Sequence, residues 1–510
     1  MPTGRRLTVK SRDAIRAIAG VLLCATGLWL ALPSRYREQN FLIDAGGCRL
    51  ETTIVEKQEG GSQGSVLLFH GISANKKIMS YLARGFAEQG LRVYVPDLPG
   101  HGRTAGPFSP GRAEQCAEAL LRALLARGTV TADRTILAGH SMGGAIAERI
   151  GSRVSVAGLV AVSPAPMRAA HGVTPEMLLF SDPPILPSHS LVIVGSLELE
   201  SMRRNAADLA ASRNDGTVRY LEIAAASHVS VLFNRVVVRA LQEWSAQTLN
   251  LRPTATLPSH RPLIGALGGF AGILLIAGPF LREASGRNKS EENITRGAVI
   301  GMPRLFLEFA AGAILIVLLL RLWIPLKAIR LFQGDYLVSF LLLFGLLAAV
   351  VHWSCLRPAL ASSPRHLLAA GFAGVVLLLL STAWFDLTFY EAWLTGARWV
   401  RFPFLLIVLL PYHIAEETLL GPAKRGTKWR RPALALTLRL ITWVVLMGGI
   451  LFLHSGEILI GLLSVYMGVF NLLQRSAMDM VRNETCSAAA TALFGAILLA
   501  GFCLVIFPLT

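Results

Sequence analysis

The fold of one part of the chain is indicated by ten consecutive residues, Thr135-Ile136-Leu137-Ala138-Gly139-His140-Ser141-Met142-Gly143-Gly144. Its first five residues are typical of a buried strand, and the residues that follow, AIAERI, indicate a helix. Between them lies Gly-x-Ser-x-Gly, in which small residues on both sides of Ser141 allow a sharp turn that faces the helix N-terminus. In this context the motif predicts that Ser141 is a nucleophile rather than part of a structural glycine-rich turn.

Two further strand-like runs precede this motif. Residues 65–72 are Ser-Val-Leu-Leu-Phe-His-Gly-Ile, and residues 91–102 are Leu-Arg-Val-Tyr-Val-Pro-Asp-Leu-Pro-Gly-His-Gly. With HG, DxxGHG and GHSMGG in this order, the segment 40–250 resembles the α/β-hydrolase family, in particular its lipase and serine-aminopeptidase-like branch. The resemblance covers less than half of the chain. It implies a mostly parallel sheet flanked by helices.

The resemblance also implies an oxyanion hole, because acyl transfer needs two donors for the developing negative charge. These donors would be the backbone N–H of Met142, just after the nucleophile, and that of Ile72, just after His-Gly. Asp97, His101 and Gly102 are interpreted as a structural turn beside the site.

A serine hydroxyl needs a base to take its proton, and the base needs a carboxylate to hold its tautomer. In the α/β-hydrolase family the acid and then the base follow the serine, each after a later strand. Glu198 follows the strand-like run 191–195 and is the predicted acid, at a position where the family usually has Asp. Glu200 and Asp182 are alternatives. His228, in a loop after the last predicted strand, is the predicted base.

Serine at position 141, where dehalogenases and epoxide hydrolases have Asp, implies an acyl-enzyme formed from an ester, thioester or amide. The family's lid segment is reduced here to 166–189, which predicts an open site and favours ester substrates over amides. Apolar side chains in this segment either meet lipid or acyl chains or pack into the core: Met167, Met177, Leu178, Leu179 and Phe180. The six cysteines form no CxxC pair and no metal-ligand spacing with His, so no metal or cofactor is expected.

The composition indicates a membrane protein. Hydrophobic residues make up 53% of the 510 residues, charged residues 16%, and the mean hydropathy is +0.52, which excludes a set of ordinary globular domains. The formal net charge is +17, but residues 34–262 hold 24 Lys and Arg against 19 Asp and Glu. Most of the excess lies in the N-terminal tail and between apolar runs, a distribution that indicates topology and not nucleic-acid binding.

The chain divides into a basic tail (1–16), an apolar segment (17–33), a domain of mixed composition (34–262) and a membrane domain (263–510). We interpret 17–33 as a signal anchor rather than a cleaved signal peptide, because Ala31-Leu32-Pro33 is a poor cleavage signal. Residues 454–457 are interpreted as a tight hairpin between two spans. The membrane domain has eight apolar runs of helix length: 263–281, 305–324, 336–354, 367–385, 402–420, 440–454, 458–474 and 488–507.

Basic residues in the loops predict the orientation. With the tail inside, the inner segments carry 20 Lys and Arg and the short outer loops carry 4. This bias predicts a multi-pass protein of the cell membrane with a cytoplasmic N-terminus and the domain 34–262 outside the cytoplasm.

Ionisable residues within spans are candidate functional groups. His413, Glu416 and Glu417 lie at i, i+3 and i+4 on one helical face, near the inner end of their span, where they either form a polar site or reach the interface. The glutamates are similar to those of CAAX-processing intramembrane proteases, but that pattern requires Arg at the position of Gly421, so the resemblance is rejected. His352, Asp386 and Glu457 fall near outer ends and could contact the hydrolase domain.

Two classes of function remain. The first is a membrane-bound, esterase- or lipase-like serine hydrolase that acts on a small-molecule or lipid substrate at the bilayer, with Ser141, His228 and Glu198 as its triad. The second is a transporter or signalling membrane protein whose hydrolase-like domain senses or processes a ligand. An intact triad favours the first, and a polar cavity in the membrane half favours the second. The oligomeric state is not predicted.

Overall fold

The computed structural model describes residues 9–32, 35–213, 215–285, 301–421, 430–453 and 456–510. The chain forms two compact units. The α/β unit comprises Ala31–Leu263, Asp386–Ala392 and Pro508–Thr510, and the helical unit comprises the remaining residues. Half of the predicted basic tail and the first two residues of the predicted hairpin at 454–457 lie outside the described residues.

The α/β unit contains one eight-stranded sheet with the order β1-β2-β4-β3-β5-β6-β7-β8. Strands β3 to β8 are parallel, and β2 is antiparallel to both of its neighbours. This confirms the predicted mostly parallel sheet. The strands are β1 (Tyr36–Ala45), β2 (Cys48–Lys57), β3 (Ser65–Phe69), β4 (Arg92–Pro96), β5 (Thr135–His140), β6 (Gly158–Val162), β7 (Ser190–Gly195) and β8 (Val218–Ile223).

Helices cover the central strands, which explains their continuous apolar sequences. Every residue of β3, β5, β6 and β7 is buried, as expected when both faces of a parallel sheet are packed. Alternate residues such as Val66 and Leu68 join one core with the helices α2 and α6. The helices of this unit are α2 (Ser80–Glu88), α3 (Pro110–Ala126), α4 (Met142–Gly151), α5 (Glu200–Ala211) and α6 (Arg235–Thr248).

A disulfide joins Cys48 at the start of β2 to Cys116 on α3, with the two Cα atoms 5.5 Å apart. The cysteine spacing gave no indication of this pair, because the partners are 68 residues apart and meet only when α3 packs beside the β1–β2 hairpin. Structural disulfides are characteristic of oxidising compartments.

The α/β unit also includes two short segments that the predicted domain 34–262 does not contain. In the C-terminal one, the N–H of Phe108 donates to the carbonyl of Leu509 at 2.6 Å, and the N–H of Leu509 donates to Gly100 at 3.1 Å. In the other, Asp386 accepts a hydrogen bond from Arg103 at 2.7 Å, as its position at the end of a span suggested. His352 pairs instead with Glu308, 3.1 Å away in the helical unit.

Eight helices among the described residues are long and apolar enough to cross a membrane: α1, α7, α8, α9, α11, α12, α13 and α16. The predicted span 458–474 is not among them, since a break at Leu463 separates α14 from α15, and α15 carries Arg475, Asp479 and Arg482. The helices are α1 (Val9–Ala31), α7 (Arg261–Ser285), α8 (Met302–Leu322), α9 (Gly334–Val351), α10 (Trp353–Leu360), α11 (Pro364–Thr388), α12 (Gly396–Leu419), α13 (Arg430–Phe452), α14 (Ile458–Leu462), α15 (Ser464–Thr485) and α16 (Ala488–Ile506).

Helix α1 packs closely against α7 through glycines. A Cβ atom added at Gly20 would lie 2.6 Å from the carbonyl oxygen of Gly272, and one added at Gly27 would lie 2.6 Å from that of Gly265. Small residues at such positions let two helix backbones approach. Asp13 on α1 also accepts a hydrogen bond from Arg282 on α7 at 3.0 Å, so α1 is an integral element of the helical unit.

Candidate active site

Ser141 stands in the sharp turn between β5 and α4. Its backbone has φ 54° and ψ −118°, a conformation that the surrounding structure must hold in place. A Cβ atom at Gly139 would overlap the backbone of Gly143, and one at Gly143 would overlap the carbonyl group of Phe69. The two glycines of the motif are therefore required by close backbone contacts, and they fix Ser141 at the N-terminus of α4.

The structure brings together Ser141, His228 and Glu198, the three residues of the predicted triad. The imidazole Nε2 of His228 lies 3.0 Å from the hydroxyl oxygen of Ser141. Its Nδ1 lies 2.9 Å from the Oε2 atom of Glu198. Since the carboxylate accepts a hydrogen bond from Nδ1–H, the neutral ring presents an unprotonated Nε2 to the serine hydroxyl, which is the tautomer that a general base needs.

Glu198 is held by three hydrogen bonds. Its Oε1 atom accepts from the hydroxyl of Ser163 and from the backbone N–H of Gly195, both at 2.6 Å, and its Oε2 atom faces His228. Burial acts to raise the pKa of Glu198. The hydrogen bond and the charge of His228, together with the hydrogen bonds from Ser163 and Gly195, outweigh burial and lower the pKa. The carboxylate therefore stays ionised beside the imidazole.

The loops that carry the acid and the base are joined to each other. The N–H of Leu197 donates to the carbonyl of Ala226 at 2.9 Å, and a Cβ atom at Gly195 would overlap the same carbonyl group. This contact explains how Glu198 and His228, which are 30 positions apart in sequence, come within hydrogen-bond distance.

The two alternative acids have other partners. The carboxylate of Glu200 is 63% exposed and pairs with Arg204 on the same helix. Asp182 has an exposed carboxylate that accepts from Ser181 at 3.2 Å. Among the described residues, Glu198 is the carboxylate within hydrogen-bond distance of His228.

The loop after β3 lies directly against the serine. A Cβ atom at Gly71 would lie 3.0 Å from the Cβ of Ser141 and from Nδ1 of His140, so a side chain here would press on both residues. Ile72 follows at once, and Met142 is the first residue of α4, where N–H groups have no acceptor within the helix. The two predicted donors thus belong to the loop that contacts Ser141 and to the start of α4.

His70 fixes the peptide group that carries the Ile72 N–H. Its Nε2 atom accepts from the N–H of Leu98 at 2.9 Å, so its Nδ1 atom carries the proton and donates to the carbonyl of Gly71 at 2.8 Å. Burial lowers the pKa of His70 to about 4, so the ring is neutral. Because the Gly71 carbonyl and the Ile72 N–H belong to one peptide plane, this hydrogen bond sets the direction of the N–H.

His140 supports the base in a similar way. Its Nε2–H donates to the backbone carbonyl of His228 at 2.7 Å, and burial, followed by the nearby His228, lowers the pKa of His140 to about 3. Sequence reasoning did not assign roles to His70, His140 or Ser163. The first two lie in the quoted motifs, which was the available signal, whereas Ser163 had none beyond its position at the end of a strand.

The segment 166–189 contains one short helical turn, Pro175–Met177, and otherwise loop. Met167 and Phe180 are buried, and Phe180 stacks under the guanidinium of Arg149 at 5.4 Å, so these two pack as core. Met177, Leu178 and Leu179 are half-buried. A cavity of about 20 Å³ adjoins this segment and is lined by residues that include Pro164, Ala165, Met167, Asn205 and Leu209.

The second group of candidate residues lies inside the helical unit. His413, Glu416 and Glu417 are each no more than 1% exposed. Arg439 donates to both oxygens of Glu416 at 2.5 and 2.7 Å, and Arg475 donates to Glu417 at 2.6 Å. The glutamates are therefore paired in the interior. A cavity of about 50 Å³ beside them is lined by polar side chains and apolar ones, the polar ones being Tyr412, His413, Arg439, Thr442, Asn471 and Gln474.

Comparison with known proteins agrees with this fold. Residues 60–247 match the family model of the serine aminopeptidases, S33. The esterase YjfP of Escherichia coli (strain K12) is 32% identical over 98 residues, which are 17% of this chain and 39% of that protein. The pimeloyl-[acyl-carrier protein] methyl ester esterase of Sodalis glossinidius (strain morsitans) is 30% identical over 125 residues, which are 23% of this chain and 45% of that protein.

The chain therefore spans less than half of the length of these curated relatives. Among solved structures, an α/β serine hydrolase without lid from Xanthomonas campestris is similar, with 19% sequence identity and a TM-score of 0.35 over 44% of this chain and 99% of that one. The α/β unit has the α/β-hydrolase fold.

Proposed function

We propose that this chain, whose residues 60–247 match an α/β-hydrolase family model, is a serine hydrolase that cleaves an ester through an acyl-enzyme. In this proposal Ser141 is the nucleophile, His228 the general base and Glu198 the acid that orients it. The observation that carries the proposal is the position of His228, with one ring nitrogen 3.0 Å from Ser141 and the other 2.9 Å from Glu198.

In the first half of the reaction, Nε2 of His228 takes the hydroxyl proton of Ser141 as the oxygen attacks the ester carbonyl carbon. The carbonyl oxygen becomes an oxyanion, which the N–H groups of Ile72 and Met142 stabilise by hydrogen bonds. Glu198 stabilises the imidazolium. His228 then gives the proton to the departing alkoxide, so an alcohol leaves and the acyl group remains on Ser141.

In the second half, water replaces the alcohol. His228 accepts a proton from the water as it attacks the acyl-enzyme, and a second oxyanion forms in the same hole. When this intermediate collapses, His228 returns the proton to the oxygen of Ser141, and the carboxylic acid is released. One water is consumed and one ester bond is broken in each cycle.

Three observations support ester substrates with an apolar acyl part. Both curated relatives are named as esterases. Leu197 and Leu199, on either side of Glu198, are 67% and 60% exposed, and Ile185 in the segment 166–189 is 71% exposed. Exposed apolar side chains grouped near a site favour apolar ligands. We infer a lipid or other acyl ester.

We further propose that the protein is anchored in the cell membrane with the α/β unit outside the cytoplasm. The bias of 20 basic residues to 4 in the loops supports this orientation. The disulfide between Cys48 and Cys116 supports an oxidising compartment. The close packing of α1 on α7 supports an anchor that is retained. Reporter fusions after residues 250 and 430 test the orientation and should report opposite sides of the membrane.

A fluorophosphonate probe tests the catalytic proposal, because it reacts only with an activated serine. The full-length wild-type protein should be labelled, whereas Ser141→Ala and His228→Ala should give little or no labelling. Ser62→Ala, which changes an exposed serine outside the site, should be labelled like wild type. A substrate panel of short and long p-nitrophenyl esters, monoacylglycerols and, for comparison, aminoacyl amides then defines the substrate.

A folded wild-type protein without labelling would contradict the enzyme proposal. The transporter or signalling alternative would then be favoured, and the polar cavity of the helical unit around His413 is the feature that such a function would use.

A further inference from the structure

The segment Asp386–Ala392 comprises the last three residues of α11 and the four residues after it, and it belongs to the α/β unit. Phe389 packs on Phe233, with ring centroids 5.6 Å apart. The hydroxyl of Tyr390 donates to the backbone carbonyl of Ser73 at 2.7 Å. The Oε1 atom of Glu391 lies 2.6 Å from Nζ of Lys76. Two of these three contacts are therefore with the loop that begins at Gly71.

The contact with Ser73 leads to the oxyanion hole through two peptide groups. The carbonyl of Ser73 shares its peptide plane with the N–H of Ala74, and that N–H donates to the carbonyl of Gly71 at 3.2 Å. The carbonyl of Gly71 in turn shares its plane with the N–H of Ile72. Each hydrogen bond in such a chain orients and polarises the next one.

The same loop needs support from outside, because its backbone is strained. Ser73 has φ 56°, a left-handed conformation that non-glycine residues adopt only where neighbouring groups hold them. The hydroxyl of Tyr390 bonds the carbonyl of this residue.

A buried ion group anchors the far end of the loop. The backbone N–H and the ammonium group of Lys76 both bond Asp97, at 2.8 and 2.6 Å, and the ammonium also reaches Glu391. All three side chains are at most 3% exposed. Gly102 passes so close that a Cβ atom there would overlap the carboxyl groups of Asp97 and Glu391. Glu391 thus fixes the segment that carries Tyr390 to the protein beside the site.

From these contacts we propose that Tyr390 is a positioning residue of the oxyanion hole, acting through the peptide groups Ser73–Ala74 and Gly71–Ile72 to direct the N–H of Ile72 at the reacting oxygen. The proposal rests on the proposed esterase function. It assigns a role in catalysis to a segment from the half of the chain that lies outside the hydrolase match of residues 60–247.

The role predicts a specific kinetic signature. A donor to the oxyanion acts on the transition state and not on the bound ester, so disturbing its direction lowers kcat with little effect on KM. Removal of a whole oxyanion donor costs about 10²–10³ in kcat. Because Tyr390→Phe only loosens the donor, we expect kcat to fall on the order of tenfold.

The experiment compares full-length wild type with Tyr390→Phe on a p-nitrophenyl ester that the wild type cleaves. Active sites are titrated to completion with a fluorophosphonate, so that kcat refers to folded, competent sites even if some of the variant is misfolded. A trifluoromethyl ketone with the same acyl chain is used as a second probe, because its adduct with Ser141 places an oxyanion in the hole. Its affinity should weaken by the same factor as kcat/KM.

Tyr36→Phe is the matched control. Tyr36 lies in the same unit and its hydroxyl donates to Glu88, also at 2.7 Å, but it has no contact with the loop after β3 among those described. Its kcat, KM and ketone affinity should equal those of wild type. This control separates the loss of a tyrosine hydrogen bond in general from the loss of the one that reaches Ser73.

The outcomes are distinguishable. An active wild type together with a Tyr390→Phe variant of unchanged kcat and ketone affinity would overturn the positioning role and leave the esterase proposal intact. An equal loss of kcat in Tyr36→Phe would overturn it too. A rise in KM at constant kcat would assign Tyr390 to substrate binding instead and also contradict the proposal. A folded wild type without ester cleavage or labelling would overturn the proposed function itself.

Discussion

Glu198 in the α/β unit and Glu416 in the helical unit are both buried carboxylates with a basic partner, but the partners differ in what they can still do. His228 bonds Glu198 with one nitrogen and has its other nitrogen directed at Ser141. Arg439 bonds both oxygens of Glu416, and its other hydrogen bonds go to Asn471, Gln474 and Met478.

The chemistry of the two bases explains the difference. An imidazole gains and loses a proton near neutral pH, whereas a guanidinium keeps its protons in proteins. A carboxylate that orients an imidazole therefore supports proton transfer, and one that is saturated by a guanidinium holds helices together. We conclude that burial and ion pairing alone do not identify a catalytic acid. A catalytic acid is identified by a partner that has a second nitrogen directed at the nucleophile, as His228 has.

The largest effect is expected for Glu198→Gln. The amide cannot hold His228 in the required tautomer or stabilise the imidazolium, and in a serine protease the equivalent change lowers kcat by about 10⁴. Steady-state kinetics on a p-nitrophenyl ester measures this loss, and circular dichroism should show an unchanged fold. Glu200→Gln should behave like wild type. If instead Glu200→Gln or Asp182→Asn abolished turnover and Glu198→Gln did not, the acid would have to be reassigned.

Arg439→Leu, which removes the partner of Glu416, should lower the stability of the protein. It leaves the carboxylate of Glu416 without its main partner in the interior, which typically destabilises a protein by about 3–5 kcal/mol. The thermal midpoint in detergent should fall, while kcat for each titrated active site should stay the same. Arg304→Leu, which breaks an exposed pair with Glu308, should cost about 1 kcal/mol or less. Equal stability of the two variants would contradict a structural role for Glu416.

A smaller effect is expected for Ser163→Ala. This change removes one of the three hydrogen bonds that keep Glu198 ionised and oriented. A hydrogen bond to a charged group contributes about 1.5–3 kcal/mol, and part of that loss should appear as a kcat roughly tenfold lower. Ser190→Ala removes a hydroxyl that bonds the carbonyl of Pro187 in the same unit and should leave kcat unchanged. A Ser163→Ala variant as active as wild type would show that two hydrogen bonds suffice.

The smallest effect is expected for Glu391. Its main partner is the ammonium group of Lys76, and not an imidazole or a guanidinium as in the other two cases. Burial, together with the adjacent Asp97, raises its pKa from 4.5 to about 7, whereas Lys76 and Arg103 face it with positive charge. A carboxyl that binds its proton more tightly when folded makes the unfolding free energy fall as the pH rises from about 4.5 to about 7. Thermal melts across this range should show the decrease in wild type and in Glu38→Gln, and a flatter profile in Glu391→Gln.

The sequence predicted the fold of the α/β unit well, because that fold depends on local patterns. The turn around Ser141 is encoded by small residues at fixed positions, and buried parallel strands appear as short apolar runs. Glu198 and His228 could be placed because each follows a strand, and the sheet brings the ends of parallel strands to one edge.

Contacts between distant parts of the chain were not predictable in this way. Tyr390 reaches Ser73 across 317 positions, and Leu509 pairs with Gly100 across about 400. The hydrophobic periodicity of a sequence gives no indication of contacts between such distant residues. The pair Cys48–Cys116 was missed for the same reason. The structure differs from the predicted span 458–474, because hydropathy alone could not show the helix break at Leu463 or the charged helix that follows it.

The pairing of Leu509 with Gly100 and Phe108 has a consequence for how the protein is made. Chains grow from the N-terminus at roughly 5–20 residues per second, so Leu509 leaves the ribosome on the order of ten to fifty seconds after Leu263. During this delay the loop after β4 lacks its hydrogen bonds to Leu509, and for part of it the loop after β3 lacks its contacts with Tyr390 and Glu391. A chain truncated within the helical half would lack the contacts of Tyr390, Glu391 and Leu509 with the α/β unit.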